Sequence, residues 1–369
     1  MITASEWQPE IGAKTTWSCP SNIALVKYWG KKEGGKQLPA NPSISWSLSD
    51  LCATTEVEIL PKSSERLIFT FDHAPKPAFE PKLLQFLDLV TPVCPWLNQV
   101  TLKVNSTNNF PHGTGIASSA AGLGALATCL VALESGMGKQ ATVGVEAGGN
   151  AGDGTTLHRP MDWKKVSYMA RLGSGSACRS MYGLPAVWGE SLAVKGSSDQ
   201  YAVELDFAIH PNLQGWEDCV LIVDAGEKLV SSTAGHALLK NHPYAEARFA
   251  QASENLTSIV EVFGNGDVKR FIEIVESEAL QLHAMMQTSV PYYLLMRPNT
   301  LALIEKIWQY RESTGQAICF TLDAGANVHL LFDAKNKLDI MNFVETVLFN
   351  YCDNKRYLCS SLGGSPKEC

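Results

Sequence analysis

The chain is short of charge. Only 18% of its 369 residues are Asp, Glu, Lys or Arg, against about 25% in an average soluble protein. The balance is acidic, 30 Lys and Arg against 37 Asp and Glu, for a net charge of −7. Without a basic excess there is no broad positive face, which excludes a general nucleic-acid binder and a coat for anionic membranes. Long apolar runs are missing too: none approaches the roughly 20 residues that cross a bilayer. The ten cysteines contain no C-x-x-C pair, so a thiolate metal cluster is not indicated. The stretch from Met1 to Trp7 has neither the basic nor the apolar region of a secretory signal. These absences predict buried, reduced thiols in a cytoplasmic protein.

What the chain does have is apolar mass. With 45% hydrophobic residues, it can bury roughly three quarters of its unfolded surface in one large or two medium domains, and disorder is excluded. Residues 54–60, 66–71 and 99–104 alternate as strands do. Residues 81–90 read as a short helix, and 117–134 as an Ala/Leu-rich buried one. The segment 136–163 is glycine-rich with little periodicity, and reads as a long exposed loop. A helix follows near 166–171, and a polar, glycine-bearing linker near 195–199 marks a boundary. Beyond it, 219–223, 317–322 and 328–332 read as strands, and 245–263, 268–286 and 300–313 as helices. No internal repeat is visible. Strands and helices mixed without regular βαβ spacing predict α+β layers.

The sharpest local signal is Pro111-x-x-x-Gly115-Ile116-Ala117-Ser118-Ser119 ahead of the Ala-rich helix. Small residues let a backbone approach a polyanion, and the helix start offers free N–H groups and the positive end of its dipole. A tight turn before a core helix would look the same, so both readings stand on this stretch alone. It is not a Walker loop, because no Gly-Lys-Ser/Thr follows. A second anion-suited stretch is Gly173-Ser174-Gly175-Ser176-Ala177-Cys178-Arg179-Ser180, where alternate serines put two hydroxyls on one side and Arg179 adds a fork that matches phosphate. A polar surface loop is its plainer reading. Lys27, Lys31 and Lys32 interrupt the apolar, aromatic run 24–32, where lysines usually snorkel to solvent. Asp323 lies between two strand-like runs beside glycine, a position that also suits a turn former.

In this order the pieces resemble the GHMP kinase superfamily and, more narrowly, the mevalonate diphosphate decarboxylase family. The likeness is carried by Ser21-Asn22-Ile23-Ala24-Leu25-Val26-Lys27-Tyr28-Trp29-Gly30-Lys31, by Asn41-Pro42-Ser43-Ile44-Ser45, by 109–122, by 173–180, by Val230-Ser231-Ser232-Thr233, and by Phe320-Thr321-Leu322-Asp323-Ala324-Gly325-Ala326-Asn327. The Lys-Tyr-Trp-Gly-Lys and Gly-Ser-Gly-Ser-Ala-Cys-Arg-Ser strings are specific to the decarboxylase branch. The resemblance implies a two-lobed α+β, GHMP-kinase-like fold. A ribosomal S5 domain 2-like, ATP-binding lobe would span 1–195, with a glycine-rich insertion at about 136–163. A ferredoxin-like α+β lobe would span 196–369, and the active-site cleft would lie between the two.

The implied activity is ATP-dependent decarboxylation of (R)-5-diphosphomevalonate to isopentenyl diphosphate by way of 3-O-phosphorylation, with ATP and Mg²⁺, in a cytoplasmic homodimer. By matching positions, Asp323 would deprotonate the 3-hydroxyl with Lys27 beside it. Tyr28, Lys31, Ser174, Ser176 and Arg179 would hold the substrate's diphosphate and carboxylate, and Ser232 would meet the transferring phosphate. Pro111, Gly113, Gly115, Ala117, Ser118 and Ser119 would cradle the ATP phosphates, with Ser119 at Mg²⁺.

Three departures stand out. Leu172 replaces a lysine found in many relatives, the 81–90 helix lacks their diphosphate-binding arginine and offers Lys82 instead, and 136–163 is read as a surface excursion rather than a lid. The alternatives are a mevalonate 3-kinase or a monophosphate decarboxylase on the same fold, and a catalytically silent ATP-binding regulator. The silent reading requires loss of the carboxylate or the phosphate loop, and both are present.

Overall fold

A computed structural model describes residues 6–34, 36–111, 116–136, 160–226 and 232–369. Two sheets organise the chain. The first begins with β1 (Lys14–Val26) and β2 (Ser43–Pro61), an antiparallel pair in which the alternation at the far end of β2 buries every second residue. Then follow β3 (Leu67–Phe71), β4 (Ala74–Pro75), α1 (Glu80–Val90) and β5 (Val100–Asn108). β5 pairs antiparallel with β2 and parallel with β3, and α1 lies in the crossover between them.

Next come α2 (Ser118–Glu134), α3 (Trp163–Gly173), a 3₁₀ helix (Gly175–Met181), and the short strands β6 (Ala186–Trp188) and β7 (Val203–Glu204). α2 is packed on all sides, with 13 of its 17 residues buried, as its uninterrupted small apolar sequence requires. Its core includes Leu126, Leu130 and Leu133 against Val57, Val104, Phe86 and Val166.

The second sheet holds β8 (Trp216–Leu221), β9 (Ile318–Leu322), β10 (Val328–Asp333) and β11 (Tyr357–Ser361) in the order β11-β8-β10-β9, all antiparallel. Ordered along the chain as one to four, that is 4-1-3-2, the split βαβ arrangement of a ferredoxin-like layer. Helices α4 (Ser232–Ala237), α5 (Ala245–Asn265), α6 (Val268–Gln287) and α7 (Pro298–Thr314) separate its first two strands, and α8 (Lys337–Thr346) its last two. Asp162 and Asp267 cap α3 and α6 by accepting from Lys165 and Arg270 N–H. β12 (Lys367–Glu368) returns to pair with β1 in the first sheet.

The two sheets form one α+β body. Leu25, Val26, Ile44 and Trp46 of the first pack with Leu256, Phe263 and Phe271 of α5 and α6, and with Trp216 of β8. Ile23, Leu48 and Ala53 pack with Val220 and Ile222. Among the described residues, no helix is long and apolar enough to cross a membrane. Strand β8 ends at Leu221, two residues short of the expected run.

Candidate active site

Lys27 follows directly on β1, at the seam between the lobes. It does not snorkel as a lysine beside an apolar strand would, for the residue is 1% exposed. Its Nζ donates to the carbonyl of Ala24 at 2.6 Å and pairs with Asp323 Oδ1 at 3.4 Å. Burial lowers its pKa from the ordinary 10.5, while the neighbouring Asp323 works in the opposite direction. Asp323 opens the turn between β9 and β10, where its carbonyl accepts from Gly325 N–H at 2.7 Å. Its side chain is 27% exposed, against 2% for that of Lys27. The turn reading and the catalytic reading of Asp323 are thus compatible. An open carboxylate stands against a sheltered ammonium.

The second anion-suited stretch brings Arg179 close enough to Lys27 to act on its charge. Ser174 is extended and Gly175–Met181 is a 3₁₀ helix, so alternation along a strand is not what arranges Ser174 and Ser176; both are nonetheless half-buried. Arg179 is 2% exposed and donates to the hydroxyls of Ser45 and Ser43. It has no carboxylate within ion-pair distance among the described residues. Two neutral hydroxyls orient the guanidinium without neutralising it, which leaves its charge for an anion. This gives the Asn-Pro-Ser-Ile-Ser motif a physical role. Asn22 Nδ2 ties β1 to the same helix through Ser180 Oγ (2.8 Å) and the carbonyl of Ser176 (3.1 Å).

Tyr28 lies between Trp188 and His236, with ring centroids at 4.5 and 4.3 Å. Gly175 is required here, because a Cβ would meet Trp188 at 2.8 Å and Tyr28 at 2.9 Å. Gly30 is required for a different reason: its φ is +98° and a Cβ would strike Phe249 at 2.7 Å. His236 Nδ1 accepts from Gly30 N–H at 3.0 Å, and burial, with Lys31 nearby, pushes its pKa down to about 3. Lys31 is half-buried, and burial lowers its pKa as well.

The start of α2 is the third part. Ala117 is left-handed at φ 44° and makes no side-chain cap, a conformation that costs a non-glycine residue about 1–2 kcal/mol. Ala120 and Ala121 N–H donate to the Ala117 carbonyl, whereas Ser118 and Ser119 precede the first closed turn. Ser21 Oγ, from β1, holds the Ile116 carbonyl at 2.6 Å. Against Ser118 and Ser119 opens a cavity of about 180 Å³, walled by Phe69, Phe71, Phe79, Leu83 and Leu123, with Thr55, Ser106, Asn108 and Lys82 as its polar groups. Lys82 thus lines the same cavity as Ser118 and Ser119. Leu172, on α3, is buried in the core.

Gly113, Gly115 and nearly all of the 136–163 insertion lie outside the described residues. Ser232 opens α4, but its side chain is also outside them; Pro111 is exposed. The structure therefore gathers Lys27 with Asp323, and Arg179 with Tyr28, Ser174 and Ser176 around Gly175.

Sequence reasoning passed over Glu278, Arg248, His283 and His236. Glu278 is fully buried and accepts from Lys27 N–H, Arg248 and Asn255. His283 Nε2 donates to the Asp323 carbonyl at 3.1 Å, and burial pushes its pKa down to about 4. One signal was available: Glu278 stands four residues after Ile274 and four before Leu282, a charge in the apolar register of α6.

Two family models match the chain: a diphosphomevalonate decarboxylase-like N-terminal domain over residues 19–202, and a mevalonate 5-diphosphate decarboxylase C-terminal domain over 219–364. Diphosphomevalonate decarboxylase mvd1 of Aspergillus fumigatus is 28% identical over 355 residues, covering 91% of this chain and 80% of the relative. The diphosphomevalonate decarboxylase of Saccharomyces cerevisiae is 28% identical over 343 residues, covering 89% and 81%. A solved structure of MDDEF in complex with MVAPP, AMPPCP and magnesium superposes with a TM-score of 0.78 at 27% identity, covering 97% of this chain and 99% of the other. Mevalonate diphosphate decarboxylase from Staphylococcus aureus also gives 0.78, at 26% identity, covering 97% and 98%.

Proposed function

The chain belongs to the diphosphomevalonate decarboxylase family, and on that footing we propose how its residues divide the work of the reaction. (R)-5-diphosphomevalonate and ATP are converted to isopentenyl diphosphate, carbon dioxide, ADP and phosphate, a step of isoprenoid biosynthesis by the mevalonate pathway. The observation that carries the assignment of roles is the Lys27–Asp323 pair, a buried ammonium 3.4 Å from a partly open carboxylate.

Asp323 takes the proton of the 3-hydroxyl as that oxygen attacks the γ-phosphorus of ATP. Lys27 keeps the carboxylate ionised and balances the negative charge that gathers on the oxygens. With the hydroxyl turned into a phosphate ester, the C3–O bond breaks and phosphate departs. The C1–C2 bond then breaks, carbon dioxide leaves, and its electron pair becomes the C2–C3 double bond. Arg179, Lys31, Tyr28, Ser174 and Ser176 hold the diphosphate and the carboxylate, so that the leaving groups depart from a fixed geometry.

The ATP phosphates lie on the segment from Pro111 through Gly113, Gly115 and Ala117 to Ser118 and Ser119. The base enters the adjoining apolar cavity, whose Ser106 and Asn108 supply polar contacts. Among the described residues no three His, Cys, Asp or Glu side chains converge on a metal position. The Ser119 hydroxyl suits a Mg²⁺ that takes its other ligands from phosphates and water. Bound there, Mg²⁺ would neutralise charge on the nucleotide phosphates. Ser232 meets the transferring phosphate.

We place the boundary between the two lobes near residue 195, with β7 and β12 returning to the first sheet. We also infer a homodimer in the cytoplasm, a location supported by ten cysteines, none of them in a disulfide. Asp323→Asn tests the assignment. Carbon dioxide and ADP release fall together by about 10³-fold, while affinity for an ATP analogue changes by less than about threefold. A variant within about tenfold of the parent rate would overturn the role of Asp323.

A further inference from the structure

Lys27 and Asp323 follow the ends of strands in different sheets, so something must fix their separation. Helix α6 touches the main chain of both. Glu278 Oε2 accepts from Lys27 N–H at 2.8 Å. Five residues on, buried His283 donates to the Asp323 carbonyl at 3.1 Å. Glu278 is itself held: Arg248 of α5 donates to both its oxygens, and Asn255 Nδ2 donates to Oε1 at 2.7 Å.

We propose that α6 is a brace that sets the Lys27–Asp323 geometry, with Glu278 and His283 as positioning residues for phosphoryl transfer. The inference rests on the reading of Lys27 and Asp323 as the reacting pair.

Energetics favour this over a purely structural role. A buried ion pair such as Arg248–Glu278 stabilises a fold no better than apolar residues of the same volume in many cases, because desolvation offsets its attraction. Its retention at the main chain of Lys27 therefore calls for a geometric reason, and a misplacement of about 1 Å at a reacting group can cost 10²-fold in rate. Glu276, two residues away on the same helix, provides the contrast. It is also buried and ion-paired, to Arg311 at 2.6 Å, with Trp308 Nε1 donating to it at 2.9 Å. Its hydrogen bonds run to α7 and β9.

The brace also bears on the protonation of Lys27. The charged and titratable groups facing that ammonium are Asp323 from the β9–β10 turn, Glu278 and His283 from α6, and Arg179 from the 3₁₀ helix. Of the two negative ones, Glu278 is the one that does not meet substrate. Its removal makes Lys27 easier to deprotonate.

The test compares Glu278→Gln and Glu276→Gln with the parent, using diphosphomevalonate and ATP–Mg²⁺. E278Q lowers kcat by about 10–100-fold with KM within about threefold, and its kcat–pH profile loses activity at lower pH on the alkaline side. E276Q lowers Tm but leaves kcat and the alkaline limb in place. His283→Phe lowers kcat, and His283→Gln, which keeps an N–H donor, recovers part of it. Should E278Q not fold because Arg248 is left unpaired, the double variant E278Q/R248M removes both buried charges and is read in its place. Parent kcat and an unmoved limb in E278Q, or an equal shift in E276Q, would overturn the brace. Failure of the underlying reading looks different: the unmodified protein would release no carbon dioxide, or Asp323→Asn would retain parent activity.

Discussion

At the scale of single residues, the acidic net charge and the anionic ligands are reconciled by where a few cations sit. Lys27 and Arg179 are 1% and 2% exposed; the Lys27 ammonium faces the partly open Asp323 and the buried Glu278, and the Arg179 guanidinium donates to the hydroxyls of Ser43 and Ser45. Low local dielectric makes such charges count for more than lysines spread over a surface. Burial has a second consequence at His236 and His283, whose pKa values fall from the ordinary 6.5 to about 3 and about 4. The unfolded chain takes up a proton at each below pH 6.5 and the folded one does not. Their contribution is therefore complete above pH 6.5 and is lost as the pH falls toward those depressed values. Tm should fall between pH 6.5 and about 5, above the range where most carboxylates titrate. H283Q should flatten that slope; a parent Tm that stays level across the window would contradict the neutral, buried state of both rings.

At the scale of elements, the tightest constraint is the 3₁₀ helix that carries Arg179. Gly175→Ala drives a methyl into Trp188 and Tyr28, and overpacking of this kind costs about 1–3 kcal/mol. Tm should drop and KM for the diphosphate should rise, with KM for ATP unchanged; parent KM values for both would remove Tyr28 from the substrate site. At α2, Ser119→Ala should raise KM for ATP by about tenfold, because one of the hydroxyls at the helix start is lost. The helices α1, α5, α6 and α7, and α2 with its long Ala/Leu-rich run, were legible in the sequence to within a few residues. Strand β1 was not. It carries Pro20, and it runs through that proline with a register irregularity at Pro20/Ser21. β6, β7 and β12 are two or three residues long and exist only through tertiary pairing, which no local pattern encodes.

At the scale of the whole molecule, the site is a product of how the lobes meet. β1 delivers Lys27 from one sheet, the β9–β10 turn delivers Asp323 from the other, and shared apolar clusters hold both lobes against α5 and α6. The short motifs made Lys27, Asp323, Arg179 and the serines legible, because their spacing is local. Glu278 and His283 reach the site only through the tertiary fold, Glu278 meeting Lys27 across a separation of 251 residues and His283 meeting Asp323 across 40. The absence of an arginine from Glu80–Val90 makes the phosphorylation state of the substrate the sharpest point to examine. The most direct measurement offers ATP–Mg²⁺ with mevalonate, its 5-phosphate and its 5-diphosphate in turn, and follows ADP and carbon dioxide together. Equal amounts of ADP and carbon dioxide from the diphosphate are expected. ADP without carbon dioxide, or carbon dioxide from the monophosphate alone, would contradict the account.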